Sequence, residues 1–139
     1  MANKNKAKGT LWERNVRDFF RKIGFVKCDR AVLTGGDDRG DLLNLPRLAV
    51  ECRDQKTITW SKNVEDARSR ADVGDMDWGV AIVKRRQKSV EQAYAVMDLE
   101  TFGSMYQAAL AGAEEGSEAF DYVISVLEEV KAGLHVSEK

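Results

Sequence analysis

Apolar residues Trp12, Val16, Phe19, Phe20 and Ile23 recur at helical spacing and predict an amphipathic first helix. Thr10-Leu11-Trp12-Glu13 has the form of a capping box, which sets the helix start at Thr10, and Gly24 ends it. The lysine-rich residues 1–8 before it read as a flexible basic arm. The pattern then changes to that of short strands at Phe25 to Leu33, Asp41 to Leu43 and Leu48 to Arg53. They are separated by the turn-forming stretches Thr34-Gly35-Gly36-Asp37-Asp38-Arg39-Gly40 and Asn44-Leu45-Pro46-Arg47. A helix over Trp60 to Ala71 places Val64, Ala67 and Ala71 on one face, with Lys62, Arg68 and Arg70 outside it. Trp78 to Val83 is a buried strand that runs into Lys84-Arg85-Arg86-Gln87-Lys88, and Ala93 to Met97 is an edge strand. Two further helices follow. Leu99, Phe102, Tyr106, Ala109 and Leu110 mark one, and Phe120, Val123, Ile124, Leu127 and Val130 the other, with residues 112–117 between them.

This order predicts an α/β fold, a mixed β-sheet flanked by α-helices with additional C-terminal helices. Residues 9–139 are expected to form a single domain, its core over 9–97 and the C-terminal helices over 98–134. A chain of 139 residues buries roughly two-thirds of its unfolded surface, so it folds without a disulfide or metal staple. With 43% hydrophobic and 32% charged residues it is not a disordered chain, and apolar runs such as Trp78-Gly79-Val80-Ala81-Ile82-Val83 are too short to span a bilayer. The basic N-terminus has no apolar segment behind it and does not read as a secretion signal. Cys28 and Cys52, in apolar strand-like contexts, suit reduced thiols in a cytoplasmic protein. The single histidine, His135, argues against histidine-based triads and histidine-rich zinc sites.

The net charge of -1 conceals an asymmetry. Residues 1–70 carry 16 Lys and Arg against 10 Asp and Glu, and residues 71–139 carry 6 against 13. A basic half can present a phosphate-tracking surface on a mildly acidic chain, unless the halves interleave in the fold and their fields cancel.

The residues that suggest chemistry are Glu13, Asp41, Glu51 and Arg53. Alternate residues of a strand share a face, so Glu51 and Arg53 emerge together while Val50 and Cys52 enter the opposite layer. If Asp41 on the neighbouring strand lies beside Glu51, the two carboxylates and the Cys52 carbonyl form an oxygen-rich pocket suited to magnesium. Helix geometry puts Glu13 at the edge of the apolar stripe, where it can face the rim of the sheet. Each feature has a plainer alternative. Glu13 is also the third residue of the capping box and serves the backbone there, and Asp41 with Glu51 and Arg53 can be a solvated ion-pair group. Asp37 and Asp38 compete with Asp41 as metal ligand, but they follow two glycines in a loop whereas Asp41 precedes apolar Leu42-Leu43 and stands at a strand.

The segments Lys8-Gly9-Thr10-Leu11-Trp12-Glu13-Arg14, Gly24-Phe25, Arg30, Thr34-Gly35-Gly36, Gly40-Asp41-Leu42-Leu43 and Ala49-Val50-Glu51-Cys52-Arg53 occur in an order that resembles the archaeal-type Holliday-junction resolvases. These belong to the PD-(D/E)XK nuclease superfamily and include enzymes from phages. The resemblance covers residues 8–56, with Trp78 to Arg86 supplying the next core strand. It implies a restriction-endonuclease-like fold and a Mg2+ cofactor, with Mn2+ as a substitute. Asp41 and Glu51 would be metal ligands together with the Cys52 backbone carbonyl, and Glu13 would complete the site, through water. Arg53 takes the place of the family lysine that positions the attacking water. Arg30 matches a basic residue on the strand before the glycine loop, and Arg14 one that meets the DNA backbone. Gly40 stands where the motif has proline, a residue that contributes backbone shape. Arginine at position 53 remains protonated and cannot act as a general base, which predicts slower or differently organised catalysis, or none.

Lys8, Arg14, Arg30, Arg39, Lys62, Lys84, Arg85 and Arg86 are the candidate DNA contacts. Trp12 and Trp60 are core anchors or base-stacking groups, and Gln55 and Lys56 order substrate or water or form an exposed turn. The expected function is a metal-dependent, structure-selective DNA endonuclease, a resolvase that makes paired nicks in four-way junctions as a homodimer. The alternatives are a noncatalytic DNA-binding protein with a degenerate nuclease fold, and a nuclease of the same superfamily acting on other DNA.

Overall fold

The computed structural model describes residues 4–32 and 37–112, together with residues 121, 125, 128, 129 and 132. Thr34, Gly35 and Gly36 of the glycine turn, and the helix expected around Phe120 to Val130 apart from single residues, lie outside the described residues. The chain divides into two compact units, Met1–Thr101 and Phe102–Lys139.

Helix α1 spans Lys4–Lys22 and so begins well before Thr10. Lys4 to Lys8 form its first turns, which replaces the expected arm by helix. Lysine and alanine are good helix formers, and a helix anchored by its buried residues Trp12 and Val16 propagates through them although Thr10 offers a cap. Glu13 is therefore an interior helical residue and not the partner of a capping threonine. The C-terminus follows the expected chemistry. Gly24, at φ 117°, donates its N–H to the Arg21 carbonyl, and Phe25 donates to Phe20. The rings of Phe20 and Phe25 meet at 6.1 Å, the hydrophobic contact that accompanies such an αL ending.

This ending draws Phe25 back onto the helix, and Cys28 N–H then closes a turn on the Phe25 carbonyl. Among the described residues, the strand expected from Phe25 to Leu33 is consequently reduced to β1, Asp29–Arg30, which pairs antiparallel with β2, Leu42–Leu43, and Leu33 lies outside the described residues. Strand β3, Leu48–Arg53, runs parallel to β4, Trp78–Val83, with Glu51 opposite Ala81 and Arg53 opposite Val83. Helix α2, Trp60–Val73, is the crossover between them. Strand β5, Tyr94–Val96, joins the far edge of β4 antiparallel, giving the order β3-β4-β5. Helix α3, Leu99–Gly112, follows, with Asp98 accepting the N–H of Thr101 in its first turn. The architecture is mixed α/β, and no helix among the described residues is long and apolar enough to cross a membrane.

Two apolar clusters cover opposite faces of β3 and β4. Val50, Cys52 and Val80 pack with Trp12 and Val16 of α1 and with Cys28, Leu42 and Leu45. Ala81 and Val83 pack with Ala67 of α2 and with Ile58 and Val96. Alternation along the strands thus sends Cys52 toward α1 and Glu51 toward the α2 side. Trp12 is a core anchor, 3% exposed, with its indole N–H donating to the Ile82 carbonyl. The buried face of α2 is Asn63, Ala67 and Ala71, with Val64 only half-buried at its margin.

Small residues set the helix-to-sheet distance on the α2 side. A Cβ at Gly79 would stand 2.2 Å from the Ala67 carbonyl oxygen, so α2 rests directly on the β4 backbone. That approach brings the charged side chains of α2 to β3. Gly79→Ala should push α2 away and destabilise the fold by about 3 kcal/mol, since inserted core volume commonly costs 1–3 and the obstacle here is backbone. Urea unfolding monitored by tryptophan fluorescence measures this, with a lowered midpoint expected.

Candidate functional site

The site forms where Asp41, just before β2, meets the C-terminal end of β3. Gly40 makes the meeting possible. Its φ is 108°, and a Cβ there would lie 2.9 Å from the Val50 carbonyl oxygen. Proline cannot adopt that φ, so glycine at this position is a steric requirement and not a tolerated replacement. The next residue, Asp41, donates its N–H to Val50 at 2.8 Å and accepts the N–H of Ala31 at its carbonyl, linking the two-stranded and three-stranded sheets. Its Oδ2 accepts the Cys52 N–H at 2.7 Å.

Glu51 is 2% exposed, and Arg53 holds it. One terminal nitrogen of the Arg53 guanidinium lies 2.6 Å from Glu51 Oε2 and 3.2 Å from Asp66 Oδ2. The other donates to the Cys52 carbonyl at 3.1 Å and stands 3.6 Å from Asp41 Oδ2. Glu51 Oε1 is buried without a hydrogen-bond partner, its near cation being Arg70 Nε at 3.5 Å. Arg70 also reaches Asp38 Oδ2 at 2.9 Å, which engages Asp38 with α2.

Three carboxylates here are held above their ordinary range. Burial pushes Glu51 up to about 7, with Asp41 adding to the rise and Arg53 opposing it. Burial raises Asp41, against the Cys52 N–H bond and the charge of Arg53. Glu13 is raised by burial and then by Asp41, with Arg30 opposing. Asp41 is therefore the charge that both glutamates feel. Burial also pushes the Cys52 thiol well up, so this sulfur is a protonated packing group and no nucleophile.

Among the described residues no three His, Cys, Asp or Glu side chains are grouped to hold a metal ion. Glu13, Asp41 and Glu51 are not grouped as three direct ligands of one ion, and the expected part of Glu13 was one taken through water. Glu13 Oε2 is drawn instead to Arg30, 3.7 Å away, while the other two carboxylates share Arg53. The groups that fit a magnesium ion are Asp41, Glu51 and the Cys52 carbonyl, because this ion keeps several waters and uses few protein ligands. The unpartnered Glu51 Oε1 is an oxygen that such a cation would satisfy.

The candidate DNA contacts divide into two groups. Lys8, Arg14, Arg39 and Lys62 are exposed, with Lys62 pairing with Asp66 at 3.2 Å. Arg86 is exposed as well, and with Lys84 it flanks the buried Asp54 carboxylate at 3.9 and 3.8 Å. Arg30 faces Glu13, and Arg85 stacks on Tyr94 at 4.9 Å. Gln55 is also a structural group, accepting from Asn63 at 2.8 Å and donating to Thr59 at 3.1 Å. Trp60 packs edge-on against Tyr94. Sequence reasoning missed Asp66 and Asp54 and left Arg70 outside the site. The i, i+4 spacing of Asp66 from Lys62 and from Arg70, about one helical turn each way, was the signal that placed these charges along one face of α2.

Comparison with family models, with curated proteins and with solved structures finds no match to this chain.

The raised Glu51 makes stability depend on pH. Its unfolded value is near 4.5 and its folded value about 7, so between these the native state retains a proton that the unfolded chain releases. Stability should fall as pH rises through this window, by up to about 1.4 kcal/mol per pH unit. Glu51→Gln should remove most of that slope, as urea midpoints collected from about pH 5 to about pH 8 would measure.

Proposed function

We propose that this protein is a metal-dependent, structure-selective DNA endonuclease with a restriction-endonuclease-like fold, acting on four-way junctions as a homodimer in the cytoplasm. The observation that carries the reading is the meeting of Asp41, Glu51 and the Cys52 carbonyl on one cationic group at the end of β3. Two acidic oxygens and a carbonyl beside a buried strand end are the donors a magnesium ion takes, and such an ion activates a bound water and offsets phosphodiester transition-state charge. Asp41 and Glu51 would hold it, and Arg53 would offset phosphate charge as a permanent cation, not as a base. Glu13 acts through its field on Asp41 and through Arg30. Lys8, Arg14, Arg39 and Lys62 offer exposed cations to the DNA backbone, which reads shape and not sequence.

A second reading, a noncatalytic DNA-binding protein on a degenerate nuclease fold, is favoured by one observation. Arg53 and Arg70 already face the Glu51 carboxylate, and among the described residues no third His, Cys, Asp or Glu is grouped with Asp41 and Glu51 to hold a metal ion.

Labelled four-way, forked and linear DNA incubated with Mg2+, Mn2+ or chelator separates these readings. The nuclease reading expects symmetric, metal-dependent nicks in the junction, and Glu51→Ala should reduce them by about a hundredfold or more while largely sparing DNA binding. Retained cleavage in that variant would move the active site elsewhere, and binding without product would support the second reading. Arg53→Lys should nick faster than the parent, and a variant no faster removes the arginine as the limiting feature.

A further inference from the structure

The position of Arg53 carries a consequence for how a metal ion would enter. The Asp41 and Glu51 carboxylates and the Cys52 carbonyl supply the oxygens a divalent cation would use, and Asp41 Oδ2, Glu51 Oε2 and the carbonyl oxygen each lie 2.6–3.6 Å from one or other terminal nitrogen of one guanidinium. A protonated guanidinium and a divalent ion cannot share these oxygens at close range, because like charges repel strongly where water is excluded. The guanidinium has a second anchor. Asp66 on α2 holds one of its nitrogens at 3.2 Å and lies on the more exposed side, since its side chain is 24% exposed against 3% for Glu51. Glu51 Oε1 remains without a hydrogen bond, so the arginine leaves part of the carboxylate unsatisfied.

We infer that the Arg53 guanidinium is the resident cation of this pocket and competes with a divalent metal ion for Asp41, Glu51 and the Cys52 carbonyl, moving onto Asp66 when the metal binds. The inference rests on the reading of Asp41 and Glu51 as a cation site. Metal loading is then an exchange of one cation for another, and the wild-type chain binds metal weakly because its own side chain must first leave. Arg70, the second cation facing Glu51, stays in place in both states. Lysine at position 53 would compete less, because one ammonium cannot engage three oxygens in the forked geometry of a guanidinium.

The test measures binding of Mn2+ alone to the full chain, without DNA, by the loss of the free-ion electron paramagnetic resonance signal. Arg53→Gln should bind Mn2+ about tenfold or more tightly than wild type, with Arg53→Lys between them. Adding Glu51→Gln to Arg53→Gln should abolish the gain. In the unaltered protein, Mg2+ titration should move the Arg53 Nε–H resonance, a readout that survives if a variant fails to fold. The inference is overturned if cooperatively melting Arg53 variants bind Mn2+ no more tightly than wild type. It also fails if the gain survives Glu51→Gln, or if the Arg53 resonance is unmoved while Mg2+ saturates the protein. Tighter Mn2+ binding without nicking of any DNA would leave this inference standing and remove the nuclease reading. Nicking by wild type with unchanged Mn2+ affinity in the variants would do the reverse.

Discussion

The burial of the Glu51 carboxylate on the α2 side of β3 is the constraint to which the rest of the site answers. An ionised carboxylate in so dry a position is strongly disfavoured unless cations and hydrogen bonds replace its water. Arg53 supplies one such group from the same strand face, two residues on, and Arg70 supplies the other from α2. Arg70 can do so only because Gly79 and Ala67 let the helix rest on the sheet. The small side chains at this interface and the charges at its end are therefore one arrangement. A bulkier interface would separate Arg70 and Asp66 from Glu51 and Arg53 and leave the carboxylate facing a poorly filled gap.

Gly40 plays the corresponding part on the other side. Its positive φ and its contact with Val50 let the backbone approach β3 closely enough for Asp41 to bond the strand through its main chain and through its carboxylate. Asp41 is thereby both the join between two small sheets and the charge that adds to the rise burial imposes on Glu13 and Glu51. Its carboxylate does structural work through the Cys52 N–H, so a change at Asp41 alters stability and chemistry together. A change at the surface-facing Arg14 does not share that coupling.

The parts of the fold readable from sequence were those where a single periodicity dominates. β3 and β4 fall where Leu48 to Arg53 and Trp78 to Val83 place them, because buried parallel strands are continuous apolar runs. The parts that escaped reading depend on tertiary competition. Thr10 offers a good cap, yet Trp12 and Val16 anchor a helix that runs on to Lys4. Phe25 looks like the start of a strand, yet it closes the end of α1 against Phe20. In the site, the pairing of Glu51 with Arg53 follows from strand alternation. The capture of Arg53 by Asp66 and of Glu51 by Arg70 does not, since it depends on how closely α2 approaches β3, which small residues permit but no local pattern specifies.

The charge division of the chain changes meaning once these partners are known. Part of the positive surplus of the first half is met by acids of the second, by Glu91 on Lys22, by Asp77 on Arg47, and by Asp98 and Glu100 on Arg68. Cations paired in this way contribute little field at a distance, because their partners cancel them within a few ångströms. Lys4, Lys6, Lys8 and Arg14 stand exposed on one continuous helix, and Arg86 and Lys88 are exposed after β4. The helix that replaces the expected arm therefore presents its lysines on a rigid rod. A rigid array of cations can match phosphate spacing with less loss of conformational freedom than a flexible tail.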